Sequence, residues 1–284
     1  MPLHNSIVEI TTIVEDWDPD HGKFGCRIGC LKYCPQELIA RYYQGIRVLP
    51  LDIHNQYIDQ IPVSQCISYC GFGEPALNPH FIDMIEYACN RGNPVEVCST
   101  LVGLTELQAH RLVKLPIAHF LLHHPDYYHN AKIPLTEEYY RVLKIIEEPG
   151  GIEYLRDIRM GGCFVTVYVE DMARHPERMQ RKLARRMCDF MKNLNYVLMP
   201  NGDMFYCCMT RGLSNKVGNL HETSFNELAS RHKEIGKAMS KDPNSICHIC
   251  PSSYNYYLDK GQQIKNRILS GRTIKELFLG DMVK

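Results

Sequence analysis

The sequence predicts an α/β fold in which repeated strand–helix units build a parallel sheet or barrel, followed by a smaller cysteine-bearing appendage. Three observations carry that reading. Short β-branched or apolar runs alternate with segments of helical apolar periodicity across about the first 170 residues. The alternation stops near Met187, beyond which Asn201-Gly202-Asp203 reads as the turn of a β-hairpin. Cysteines gather at Cys26, Cys30 and Cys34, at Cys207 and Cys208, and at Cys247 and Cys250, out of thirteen in 284 residues.

The elements follow in order. Residues 6–14 (SIVEITTIV) form a β-branched run that reads as the first strand. A polar loop leads to the first cysteine group, and Pro35 opens a helix through residues 36–40 at a first-turn position. Residues 66–69 read as a short buried strand ending in Gly71-Phe72-Gly73-Glu74-Pro75. Phe81, Ile82, Ile85, Ala88 and Cys89 then recur at helical spacing. Residues 95–98 make a third strand, and Thr105 with Gln108 reads as a capping box. Residues 117–122 are strand-like, and Leu135, Tyr139, Val142, Leu143 and Ile146 mark a helix face. Residues 163–169 (CFVTVYV) are the clearest strand in the chain. A basic helix spans 177–187, and strands at 196–198 and 204–206 flank the hairpin turn.

Composition narrows the function classes. With 45% hydrophobic and 23% charged residues, the chain is globular rather than a disordered tail. Thirty-two basic residues against thirty-two acidic ones argue against a nucleic-acid-coating protein. No apolar run approaches the ~18 residues of a membrane helix. The first residues lack the charged head and apolar core of a signal peptide. A cytoplasmic location is expected, and in a reducing compartment clustered cysteines are metal or redox ligands before they are crosslinks.

Cys26, Cys30 and Cys34 lie within nine residues on a loop after the first strand. Zinc normally takes four ligands, whereas three thiolates suit a [4Fe–4S] cluster with one iron left open. With Tyr33 just before the third cysteine, and Gly71-Phe72-Gly73-Glu74-Pro75 ending the next strand, the chain resembles the radical S-adenosylmethionine (radical SAM) enzymes. Its Cys-x3-Cys-x3-Cys spacing is one residue longer than that family's usual Cys-x3-Cys-x2-Cys. The resemblance implies a partial parallel (β/α) barrel over residues 1–186 and cluster ligation by Cys26, Cys30 and Cys34. It further implies that Gly71, Gly73, Glu74 and Pro75 meet the amino group of S-adenosylmethionine. A strand end with glycines lets backbone carbonyls approach an ammonium, and Glu74 supplies the opposite charge. Ser99 and Thr100, after the third strand, are further cofactor candidates.

Cys188, thirteen residues, Gly202, four residues and Cys207 lie across the hairpin, with Cys247-His248-Ile249-Cys250 beyond. This pattern resembles the SPASM/twitch auxiliary-cluster appendage of radical SAM enzymes. No cysteine follows Cys250, so the likeness is to the shortened form found in 2-deoxy-scyllo-inosamine dehydrogenase-like enzymes. It implies a second [4Fe–4S] cluster on Cys188, Cys207, Cys247 and Cys250 over residues 187–284, with Cys208 as the rival of Cys207. Gly218-Asn219-Leu220 also matches the appendage. A closed cluster points to electron transfer rather than substrate ligation; a four-cysteine zinc knuckle is the structural alternative.

The remaining candidates stand at barrel strand ends, where an active site belongs. They are His123 after the fourth strand, Cys163 as a hydrogen-atom donor, and Glu170 after the fifth. Cys66, Cys89 and Cys98 read as core, and Cys70 is set apart from them by directly preceding the glycine motif. As implied by the resemblance, the chain abstracts hydrogen from a small polar substrate, with net oxidation through the auxiliary cluster as the favoured outcome. Epimerisation and peptide modification are the alternatives, and a non-catalytic iron–sulfur or zinc protein is the alternative of another class. An external one-electron donor such as flavodoxin or ferredoxin is the expected partner, with neither membrane nor nucleic acid.

Overall fold

The computed structural model describes residues 7–14, 39, 42–123, 133–148, 186–187, 195–208, 213–242, 245, 247 and 254–255, with backbone alone at 186–187 and 254–255. Strands β1 (Ile7–Ile10), β2 (Cys66–Tyr69), β3 (Val95–Ser99) and β4 (His119–Leu122) are successive parallel neighbours. Strand β5 (Arg186–Met187) lies apart from them. Strand β6 (Asn195–Leu198) pairs parallel to β1 on its other side, and β7 (Asp203–Phe205) and β8 (Lys216–Asn219) extend the sheet antiparallel. The result is an open, mostly parallel seven-stranded sheet of order β4-β3-β2-β1-β6-β7-β8. A separate short pair joins β5 to β9 (Tyr254–Asn255). The expected partial parallel barrel architecture is borne out.

Five described helices cover one face of the sheet or its ends: α1 (Leu51–Gln60), α2 (Phe81–Arg91), α3 (Glu106–Leu112), α4 (Glu137–Glu147) and α5 (Phe225–Met239). Side-chain capping starts three of them, α3, α4 and α5. Thr105 Oγ1 accepts from Gln108 N at 3.3 Å while Gln108 Oε1 accepts from Thr105 N at 3.0 Å, the expected capping box. Thr136 and Ser224 cap α4 and α5 in the same sense. Gly92 ends α2 in the left-handed conformation, φ 95°, where glycine bears no Cβ penalty.

Val8, Ile10, Ile67, Tyr69, Val95, Val97, Phe120, Leu122, Tyr196 and Leu198 point to the helical side. There they join Tyr57 and Ile58 of α1, Phe81, Met84 and Ile85 of α2, and Val142 and Ile146 of α4 in one buried core. Their strand neighbours therefore face the opposite, inner side of the sheet. A smaller core on that side gathers Val14, Ile39, Tyr43, Phe72, Val197, Met199 and Phe205.

Several boundaries differ from the sequence expectations. The first strand ends at Ile10, and Ile13 instead makes an isolated antiparallel bridge with Val48. Leu135 precedes α4 and is exposed. Helix α1 was not expected, since its apolar positions are few and interspersed with Asp52, His54, Asn55 and Gln56. The hairpin is not separate from the sheet: β6 is a full parallel member of it, because Tyr196 and Leu198 bury themselves on the helical side. The strand expected at 163–169 and the basic helix at 177–187, apart from the strand residues 186–187, lie outside the described residues. So does the helix expected after Pro35, apart from Ile39. No helix among the described residues is long and apolar enough to cross a membrane.

Candidate cofactor and substrate site

The glycine loop lies against the end of β1 so closely that side chains are excluded. A Cβ on Gly71, which has φ +63°, would stand 2.3 Å from Thr11 Oγ1. One on Gly73 would stand 2.4 Å from the carbonyl oxygen of Ile13. Phe72 N donates to Thr11 Oγ1 at 3.1 Å, and the Phe72 ring enters the smaller core, so the loop is pinned from both sides. The carbonyls of Gly71 and Gly73 accept no backbone hydrogen bond among the described residues.

Glu74 is buried, and both its carboxylate oxygens are engaged. Oε1 accepts from Ser99 Oγ at 2.6 Å and from Ala76 N at 3.2 Å. Oε2 accepts from Thr100 N at 2.8 Å and from Thr100 Oγ1 at 2.7 Å. Burial raises the carboxyl above its ordinary range, and these four donors pull against that rise. Thus Glu74, Ser99 and Thr100, singled out separately in the sequence, form one clamp between the ends of β2 and β3. The carboxylate is committed to it, and the glycine carbonyls are the acceptors still offered to an ammonium. In that form the loop fits S-adenosylmethionine.

The inner face holds a polar row that sequence reading missed. Registers Glu9↔Ser68, Ser68↔Glu96 and Glu96↔His119 put these four residues at one level across β1 to β4. Ser68 Oγ donates to Glu96 Oε1 at 3.1 Å, His119 Nδ1 lies 3.3 Å from Glu96 Oε2, and Asn195 Nδ2 reaches Glu9 Oε1 at 3.5 Å. A single glutamate inside an otherwise uncharged parallel strand was the available signal, in IVEI and VEVCS.

One residue pair further along stand Cys70 and Cys98, both half-buried. Cys98 Sγ donates to Glu96 Oε1 at 3.9 Å, the Cys70 and Cys98 sulfurs share a hydrogen bond, and Gly71 N donates to the Cys70 sulfur. For Cys70 the hydrogen bond with Cys98 lowers the thiol pKa, yet burial with the Glu9 and Glu96 carboxylates leaves it raised. The Cys98 thiol is raised well above its ordinary value by the hydrogen bond to Cys70 and by burial. Burial pushes Cys66 up to about 12. Among the described residues no group of three or more His, Cys, Asp or Glu is arranged to hold a metal.

At the other end of the sheet, Asn219 closes the hairpin turn. Its Nδ2 donates to Asn201 O at 3.0 Å and to Asp203 Oδ1 at 2.8 Å. Gly202 is required there, with φ +83° and a would-be Cβ 2.8 Å from His221 Cδ2. Cys207 and Cys247 are both buried in the main core, and Cys208 is half-buried beside both cores. Thiols are the donors an iron–sulfur cluster needs, and this part of the set fits one. His123 follows β4 and donates its backbone N to Ser99 O at 2.9 Å. Cys26, Cys30, Tyr33, Cys34, Cys163, Glu170, Cys188 and Cys250 lie outside the described residues.

Residues 188–251 match the SPASM family model, an iron–sulfur cluster-binding domain. No curated protein matches the chain in sequence. Among solved structures, BtrN in complex with AdoMet and 2-DOIA shares the fold with a TM-score of 0.55 at 14% identity, over 88% of this chain and 93% of that one. Selenomethionine BtrN in an open conformation gives 0.55 at 14%, over 90% and 99%. Native anSMEcpe with bound AdoMet gives 0.50 at 9%, over 98% and 100%. Both neighbours are radical SAM enzymes with appendages of the SPASM/twitch type. The chain has their fold and carries a SPASM segment, as its motifs implied.

Proposed function

We propose that this chain, built on the radical SAM fold with a SPASM segment, is itself a radical SAM enzyme acting on a small polar substrate held against the inner face of the sheet. One observation carries the reading: a glycine loop locked onto β1 by the Glu74 clamp stands beside a polar inner face, on a chain whose far end matches an iron–sulfur domain. Cys26, Cys30 and Cys34 would hold one [4Fe–4S] cluster, and the Gly71 and Gly73 carbonyls the ammonium of S-adenosylmethionine. Cys188, Cys207, Cys247 and Cys250 would hold a second cluster. When bound, these groups supply a 5′-deoxyadenosyl radical that removes a hydrogen atom from the substrate.

This chain's own residues orient that substrate. Ser68, Glu96 and His119 offer a hydroxyl, a carboxylate and an imidazole at one level, suited to the hydroxyl or amino groups of a polar molecule. The neighbour solved with 2-DOIA supports this substrate class. The SPASM segment supports net oxidation, since a cluster held there would supply an acceptor for the substrate's electron. A second outcome, return of hydrogen from a thiol and hence epimerisation, is favoured by Cys70 on the inner face. A flavodoxin- or ferredoxin-like protein is the proposed electron donor.

The test is anaerobic reconstitution followed by reduction with S-adenosylmethionine present. About eight irons per chain, as two four-iron clusters require, and release of 5′-deoxyadenosine are expected. Stoichiometric zinc without that product would overturn the reading.

A further inference from the structure

We propose that Cys70 is a hydrogen-atom donor to carbon radicals formed at the inner face, with Cys98 as its partner thiol. The proposal rests on the hydrogen-abstraction reading above and selects its second outcome. Four observations support it. Cys70 immediately precedes Gly71, so its thiol is borne by the same strand end as the loop assigned to the cofactor. Register Tyr69↔Val97 sets it opposite Cys98, and both follow, on the same face, the polar pair Ser68 and Glu96. The two sulfurs share a hydrogen bond while Cys98 Sγ donates to Glu96 Oε1 at 3.9 Å, which holds Cys98 beside Cys70. Both thiols are half-buried rather than sealed in the core, unlike Cys66 at 1% exposure.

The chemistry balances with groups already named. The substrate radical takes the hydrogen atom of Cys70 S–H; a C–H bond forms, the S–H bond breaks, and a Cys70 thiyl radical remains. Contact with the Cys98 sulfur stabilises that thiyl by sharing its unpaired electron. One electron from the external low-potential donor and one proton from solvent restore the thiol. The Glu9 and Glu96 carboxylates and burial keep both sulfurs protonated, as hydrogen-atom donation requires.

The test needs no identified substrate. The reconstituted enzyme is turned over in D2O with S-adenosylmethionine and dithionite, and the 5′-deoxyadenosine is examined by mass spectrometry. In the absence of substrate the radical meets the exchangeable Cys70 S–D, so wild-type product carries deuterium. Product from C70S carries only natural abundance, since a serine O–H bond is too strong to yield its hydrogen to a carbon radical. Equal deuterium in both proteins overturns the proposal; no 5′-deoxyadenosine from the wild type overturns the underlying reading instead. A second measurement uses phenylarsine oxide, which bridges paired thiols, on the cluster-loaded wild type without turnover. Peptide mapping is expected to find one arsenic linking Cys70 to Cys98, and the capped enzyme is expected to lose the label. Failure to bridge the pair, or full labelling after bridging, also overturns it.

Discussion

The motif reads Glu74 as the charged partner of an ammonium, whereas its surroundings commit the carboxylate to clamping the loop. Truncation in Glu74→Ala strips acceptors from Ser99 Oγ, both Thr100 donors and Ala76 N in a buried place. Several such orphaned donors cost about 2–4 kcal/mol together. The expected outcome is a lower melting temperature and weaker S-adenosylmethionine binding with iron content retained. Glu74→Gln keeps one acceptor oxygen and the side-chain shape, so it is expected to fall between. Thermal melts with equilibrium binding on both variants check this; an unchanged dissociation constant in Glu74→Ala would mean that the loop is only a turn. The motif was legible because glycines and an acid after a strand constrain chemistry strongly. Glu96 and His119 were not, because their meaning lies in a cross-strand register that one sequence does not display.

Helices attach to the sheet here partly through buried histidines. His54 of α1 is fully buried, with Nε2 2.9 Å from Tyr69 Oη, and burial lowers its pKa from 6.5 to about 4. His232 of α5, lowered by burial too, sits between the rings of Tyr196 and Tyr206, with Nε2 2.8 Å from the carbonyls of Asn195 and Tyr206. A histidine kept neutral in the fold but free to charge when unfolded contributes stability that is fully present above pH 6.5. That contribution is lost progressively as pH falls toward about 4. For His54 the loss is about 3 kcal/mol. Urea denaturation at pH 7.5 and 4.5 is expected to show this drop, and His54→Gln, which cannot charge, to flatten it. Among the helices, α2 to α4 were legible from apolar spacing and caps. Helix α1 escaped because its core contacts rest on only Tyr57, Ile58 and the unlikely-looking His54. Helix α5 carries a readable Ser224-x-x-Glu227 start, set between the cysteines of the appendage.

Across the whole molecule, the proposed function divides the labour between two cysteine sets. Replacing Cys26, Cys30 and Cys34 is expected to abolish S-adenosylmethionine cleavage. Replacing Cys247 and Cys250 is expected to remove about four irons while leaving uncoupled cleavage measurable. Iron assay and 5′-deoxyadenosine quantification distinguish them; equal loss of cleavage in both would contradict the division. Phe72 of the glycine loop and Phe205 of the hairpin share one small core, so the two regions are mechanically joined. The strand-and-helix rhythm made the barrel legible, but the hairpin's place within the main sheet was not, since parallel pairing to β1 spans more than 180 residues of sequence.

That pairing has a consequence for inheritance. Strand β1 reaches its full complement of neighbours only when Ile7 to Ile10 meet Asn195 to Leu198 in register. A chimera that kept residues 1–186 and borrowed another protein's appendage would leave one side of β1 without its mate. Its unpaired amides and carbonyls would be open to self-association. A graft slipped by one residue would turn Tyr196 and Leu198 out of the helical core. The two halves of this chain can therefore diverge in their loops and cysteine spacings, but their shared strand seam must be passed on intact, like a key cut together with its lock.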